Sequence, residues 1–219
     1  MKARVPALIR TVAVASILLA TGCTSVSQTT VQSIGMLFHK PDHTPSAQQV
    51  ADSPYPQLLL SDRHVNGLLV LGYLDQDRQV WVAGTHAVYY LNAEGLLTGA
   101  AGPGFSYQAS IIGNNPFAHL AQVQGSVPVQ RSYDWMPGYH YGIQVSGQLQ
   151  RIGSEQVQLP HQTLELVRFE ETLQGPGFTA TNLYWADPQT GFIWKSRQYL
   201  GPDQAVEIQQ LKPYLAKNS

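Results

Sequence analysis

A chain of 219 residues with 13 Lys and Arg against 14 Asp and Glu has no basic excess with which to displace counterions from a nucleic acid, so that class of partner is excluded. Hydrophobic residues make up 43%, enough for the packed core of one domain. A single cysteine excludes an internal disulfide, and stability must come from that core.

The chain opens with Lys2, Arg4 and Arg10. An apolar run over residues 12–20 follows, broken only by Ser16, and leads into Thr21-Gly22-Cys23. A positive flank, an apolar run too short to span a bilayer and small residues behind it describe a secretory signal peptide. A cysteine directly after Ala-Thr-Gly is the bacterial lipobox arrangement. The expectation is cleavage before Cys23, whose thiol takes acyl chains such as palmitate and becomes a membrane anchor. Residues 1–22 are read as signal peptide, 23–53 as lipidated N-terminus and tether, and 54–219 as one β-rich domain. Thr24 stands where an Asp would tend to hold a lipoprotein at the inner membrane. Outer-membrane placement is expected, with the domain in the periplasm.

Residues 24–53 are rich in Ser, Thr, Gln, Pro and His, and Val31, Ile34, Leu37 and Phe38 suggest one short helix. From Tyr55 the character changes. Residues 55–61, 67–74, 80–83 and 87–91 are short Leu-, Val-, Tyr- and Trp-rich runs separated by turn residues, the pattern of an antiparallel meander. Residues 99–104 read as a Gly/Ala/Pro loop. Asn115 and Pro116 cap and open a short helix. Tyr139, Tyr141, Ile143, Val145 and Leu149 alternate with polar residues, which puts one face on a core and one in water. Residues 164–169 form another strand, and residues 179–185 and 192–200 pair across an Asp187-Pro188-Gln189-Thr190-Gly191 turn. Residues 206–211 are the last strand. The fold class is mainly β: an antiparallel meander forming a partly open barrel or rolled sheet, with one or two short helices. A two-sheet sandwich is the competitor.

Candidate chemistry is sparse. His39 and His43 have i, i+4 spacing, but Pro41 removes the helix that would let them share a metal, so no metal or cofactor is expected. Gly104-Phe105-Ser106-Tyr107-Gln108 lacks the final glycine of a nucleophile elbow. Gly99, Gly102 and Gly104 have no following helix or Lys with which to cradle a phosphate. Glu170 and Glu171 are adjacent on a strand and point to opposite faces. The most suggestive group is Asp134 between Tyr133 and Trp135, a carboxylate beside aromatic walls on which a sugar could stack.

The order of signals carries more than any one of them. The lipobox and tether precede Gly67-Leu68-Leu69-Val70-Leu71-Gly72-Tyr73 and Val80-Trp81-Val82-Ala83. Leu91-Asn92-Ala93-Glu94-Gly95-Leu96-Leu97-Thr98-Gly99 follows, and the chain closes on Asn182-Leu183-Tyr184-Trp185-Ala186-Asp187-Pro188 and Gly191-Phe192-Ile193-Trp194-Lys195-Ser196-Arg197-Gln198. Over roughly residues 55–214 this resembles the YjbF/GfcB family of outer-membrane lipoproteins, associated with capsule and exopolysaccharide secretion loci. The resemblance implies a mostly β fold without enzymatic activity, working beside an export machine for surface polysaccharide, with export proteins or glycan as partners. It supplies no catalytic residues. Two other readings stand beside it: a half-open barrel that carries a lipid or acyl chain, and a glycan-modifying enzyme using Asp134 or Glu170.

Overall fold

The computed structural model describes residues 44–215. The signal peptide, Cys23, the helix expected around residues 31–38, His39 and His43 lie outside the described residues. The first element, α1 (Ala47–Asp52), falls inside the stretch read as tether. The Ser46 hydroxyl accepts from the Gln49 N–H while the Gln49 side chain accepts from the Ser46 N–H, a reciprocal cap that starts a helix in a polar stretch. Val50 buries its one large apolar side chain.

Twelve strands follow: β1 (Gln57–Ser61), β2 (Asn66–Asp75), β3 (Arg78–Ala83), β4 (Ala87–Leu91), β5 (Leu97–Gly102) and β6 (Phe105–Ile111), then β7 (Ser126–Met136), β8 (His140–Gln158), β9 (Thr163–Gly175), β10 (Phe178–Ala186), β11 (Ile193–Tyr199) and β12 (Ala205–Lys212). Each pairs antiparallel with its sequence neighbours, and β1 also pairs with β12, Leu58 opposite Gln210 and Leu60 opposite Ile208. The barrel expected to be partly open is therefore closed. Closure follows from β1 using both of its edges, while β8 runs on past Gln150, the last residue paired with β7, and is paired there with β9 alone.

Alternation turns the large apolar side chains into the lumen. One cluster contains Leu58, Leu69, Trp81, Tyr89, Tyr107, Tyr133 and Phe178. A second contains Phe117, Leu149, Phe169, Tyr184 and Ile193, at the end of the barrel where β1 begins. Fully burying such side chains is worth about 1.5–3 kcal/mol each. A 3₁₀ segment, Pro116–Gln122, caps that end. Asn115 accepts from the Phe117 N–H, Pro116 opens the segment, and Phe117 meets Tyr184 edge-on with ring centroids 5.0 Å apart.

Tyr139 and Tyr141, expected on the core face with Ile143, Val145 and Leu149, are exposed instead, and two elements also depart from expectation. Residues 99–104 are not a loop but the heart of the β5–β6 hairpin. Small residues are needed there because the wall is crowded: a Cβ on Gly99 would sit 2.6 Å from the Tyr107 carbonyl oxygen. β7 is equally hard to read, because Arg131 interrupts the alternation of Val127, Val129, Tyr133 and Trp135. Arg131 looks like a surface residue, yet it points inward and is 2% exposed.

Many outward positions of β6 to β9 are Ser, Gln or Thr, among them Ser106, Gln130, Gln144, Ser146, Gln148 and Thr172, all exposed, with Ile152 an apolar exception. A membrane-spanning barrel turns an apolar band outward. This wall has the opposite polarity. Among the described residues, no helix is long and apolar enough to cross a membrane.

Candidate functional site

A concavity lies on the outer wall across β3 to β7. Its middle is one rung of the ladder: Tyr90 opposite Gly99, Gly99 opposite Gln108, Gln108 opposite Asp134. The missing side chain at Gly99 lowers the floor of this rung. A register shift between Tyr90 and Leu91 bends the wall beside it. Ser110 faces Ser132 one rung closer to the β1 end. The loops carrying Asn92, Leu96 and Asn115 close the groove there, and its volume is about 360 Å³, within the roughly 300–1,000 Å³ of small-molecule sites.

Five of the polar groups lining the groove have contacts that orient them. Asn92 accepts from the Leu96 N–H at 2.8 Å and Asn115 from the Phe117 N–H at 3.1 Å. Because those bonds use each Oδ1, each amide nitrogen keeps its donors. Asp134 accepts from the Gly142 N–H at 2.6 Å through Oδ1 and keeps Oδ2 as an acceptor. The Thr98 hydroxyl donates to the Tyr90 carbonyl at 3.1 Å. The Arg78 guanidinium lies over the Tyr90 ring, 4.9 Å from its centroid, and pairs with Asp75 through one nitrogen. One wall is therefore cationic and aromatic, the far end anionic, and the formal charges of the lining cancel.

The three residues singled out in the sequence separate. Asp134 is in the groove. Tyr133, its neighbour, points inward and is fully buried. Trp135 is half-buried, stacked on His140 with centroids 4.6 Å apart and tilted against Phe178. The aromatic ring that shares the groove with Asp134 is Tyr90, which only the β4–β7 register brings there. Arg78, Asn92, Asn115 and Tyr90 carry no local motif, so single-sequence reading sees turn residues, a helix cap and a strand tyrosine. Ser106 is an exposed position of β6.

Carboxylates elsewhere have other partners. Glu170 lies outside and pairs with Arg168, and Glu171 lies inside, as expected for adjacent strand positions. Glu171 receives Arg131 Nε at 2.7 Å and Nη2 at 2.9 Å, the Tyr184 hydroxyl at 2.6 Å and Asn182 Nδ2 at 2.8 Å. Burial disfavours the Arg131 cation, but the Glu171 carboxylate more than compensates and holds the guanidinium protonated. Burial, reinforced by Glu171, keeps the Tyr184 phenol neutral far above its ordinary range. This cluster is closed on itself inside the barrel and organises the core. Among the described residues, no group of three or more His, Cys, Asp or Glu is arranged to hold a metal ion.

Comparison with known proteins gives a consistent answer. The family described as group 4 capsule polysaccharide lipoprotein GfcB, YjbF matches residues 29–211. The uncharacterized lipoprotein GfcB of Escherichia coli strain K12 is 25% identical over 198 residues, covering 88% of this chain and 92% of that protein. The crystal structure of the hypothetical lipoprotein YmcC of Escherichia coli K12 superposes with a TM-score of 0.68 at 22% identity, covering 88% of this chain and 98% of that one. At that identity the structural match speaks for the fold.

Proposed function

This chain belongs to the YjbF family of group 4 capsule polysaccharide lipoproteins, and on that premise we propose that it is a non-catalytic outer-membrane lipoprotein assisting assembly or export of a capsular or extracellular polysaccharide. The family match along residues 29–211 carries the reading. Acyl chains on Cys23 would hold the protein at the membrane, with the barrel on the periplasmic side. The polar outward face of β6 to β9 suits an aqueous compartment.

Both alternatives fare worse on the geometry. An acyl carrier needs an apolar cavity of several hundred Å³ within the sheet. Here two side-chain clusters and the Arg131–Glu171 pair occupy the lumen. A glycosidase needs two carboxyl groups flanking the bond, about 5–10 Å apart. Among the residues lining the groove, Asp134 is the one carboxylate.

Deleting the gene and quantifying polysaccharide on the cell surface tests the role. The expected result is a marked loss that is restored by the intact gene. Unchanged surface polysaccharide would overturn the proposal. Mass spectrometry of the membrane-extracted protein tests the anchor. An N-terminal Cys23 carrying acyl chains is expected, and an unmodified thiol on a soluble chain would contradict it.

A further inference from the structure

We infer that the outer-wall groove between Arg78 and Asp134 is a binding site for a neutral, hydroxyl-rich saccharide segment. This goes beyond the proposed role, which leaves open whether the protein touches glycan at all, and it rests on that role only for the source of the sugar.

The inference comes from the kind of polar atoms present and how they are held. Each sugar hydroxyl donates one hydrogen bond and accepts others. A site for a row of hydroxyls needs donors and acceptors side by side, already oriented. Asn92 and Asn115 present amide donors whose orientation is fixed by backbone N–H groups on their oxygens. Asp134 presents Oδ2 while Gly142 holds Oδ1. Arg78, laid over Tyr90 and tied to Asp75 by one nitrogen, offers its remaining N–H groups from the opposite wall. These side chains are restrained before any ligand arrives, so binding orders few new rotamers.

The same features argue against other ligands. An anion would meet the Asp134 carboxylate, with only a guanidinium already paired to Asp75 to offset it. An apolar ligand would leave these donors and acceptors desolvated and unpaired, at about 1–3 kcal/mol each. The floor is equally specific. Gly99 keeps the rung low, and the rung above it is closed by two small hydroxyl side chains, Ser110 and Ser132. A pyranose chair needs the space that Gly99, Ser110 and Ser132 leave beside Gln108, which larger side chains would fill.

The test is calorimetric titration of the full lipoprotein in a detergent without a sugar headgroup. The probes are neutral di- and trisaccharides of hexoses and N-acetylhexosamines, uronate-bearing oligosaccharides and inorganic phosphate. Neutral saccharides are expected to bind. Asp134→Asn keeps the acceptor for Gly142 but replaces the free oxygen by a donor, and should weaken binding about tenfold. Ser110→Trp fills the groove from an exposed position and should abolish binding. Both variants should keep the wild-type circular dichroism spectrum and melting temperature. Absence of binding by every neutral saccharide up to tens of millimolar would overturn the inference. So would equal affinity in both variants, or preference for phosphate or uronates. Failure here with surface polysaccharide still lost on gene deletion would remove the groove's assignment and leave the export role standing.

Discussion

Arg131 is the residue on which sequence and structure differ most instructively. As a cation on an otherwise alternating strand it reads as a break. In the barrel it is the middle of an inward row, bidentate on Glu171 and 5.0 Å from the Phe117 ring centroid. Nothing local in the sequence joins residues 131 and 171, so the pair could only be found once β7, β8 and β9 are in register. Removing one partner leaves the other charge buried. Arg131→Met should therefore cost about 3–5 kcal/mol in urea unfolding, and the double variant Arg131→Met/Glu171→Leu much less, because paired burial contributes little net stability. A double variant as unstable as the single one would contradict this. Asp187 is simpler and was legible, since Asp-Pro-x-Thr-Gly announces its turn. Partial burial alone would raise its carboxyl. Hydrogen bonds from the Thr190 and Gln189 N–H groups and the Thr190 hydroxyl outweigh that and lower it below 3.8. A lowered value means the turn's contribution is present above 3.8 and is lost as pH falls through the folded value. Melting temperature should accordingly fall less on acidification in Asp187→Asn than in the parent chain.

At the scale of elements, alternation and turn chemistry located β1 to β4 and β10 to β12 within a few residues, and found β8 and β9 but stopped them at residues 150 and 169, well short of Gln158 and Gly175. They failed where small or charged residues replace large apolar ones. The β5–β6 hairpin looks like loop composition because Gly99, Ala100 and Ala101 are chosen for space between neighbouring tyrosines. Gly99 tests this reading. The nearest atom to an added Cβ is the Tyr107 carbonyl oxygen at 2.6 Å, with the Tyr90 ring at 3.3 Å. Backbone cannot move aside as a side chain can, so Gly99→Ala should destabilise by about 1–3 kcal/mol in urea unfolding. A neutral substitution would show that the wall there is looser than described. The groove was legible only at Asp134. Its other walls come from elements whose pairing no short-range pattern predicts.

The described residues form a barrel closed by its first and last strands, with Arg131 and Glu171 networked inside it. Three tyrosines, Tyr89, Tyr133 and Tyr184, are buried as neutral phenols. For Tyr133, burial is the main cause and Glu171 adds to it while the Arg131 charge opposes, leaving the phenol pushed up to about 12. A raised value means this stability is complete below the ordinary value of 10.0 and is lost as pH rises through about 12. Cooperative alkaline unfolding is expected in that window, with phenolate absorbance appearing together with loss of β-sheet circular dichroism. The family could be read from the order of signals along the chain, whereas barrel closure depends on the non-local β1–β12 pairing. If the proposed export role is exercised through the proposed outer-wall groove, blocking the groove must block the role. Complementation of the gene deletion with Ser110→Trp tests it most directly. The account predicts a variant that reaches the outer membrane at wild-type levels yet fails to restore surface polysaccharide; full restoration by the blocked groove would contradict it.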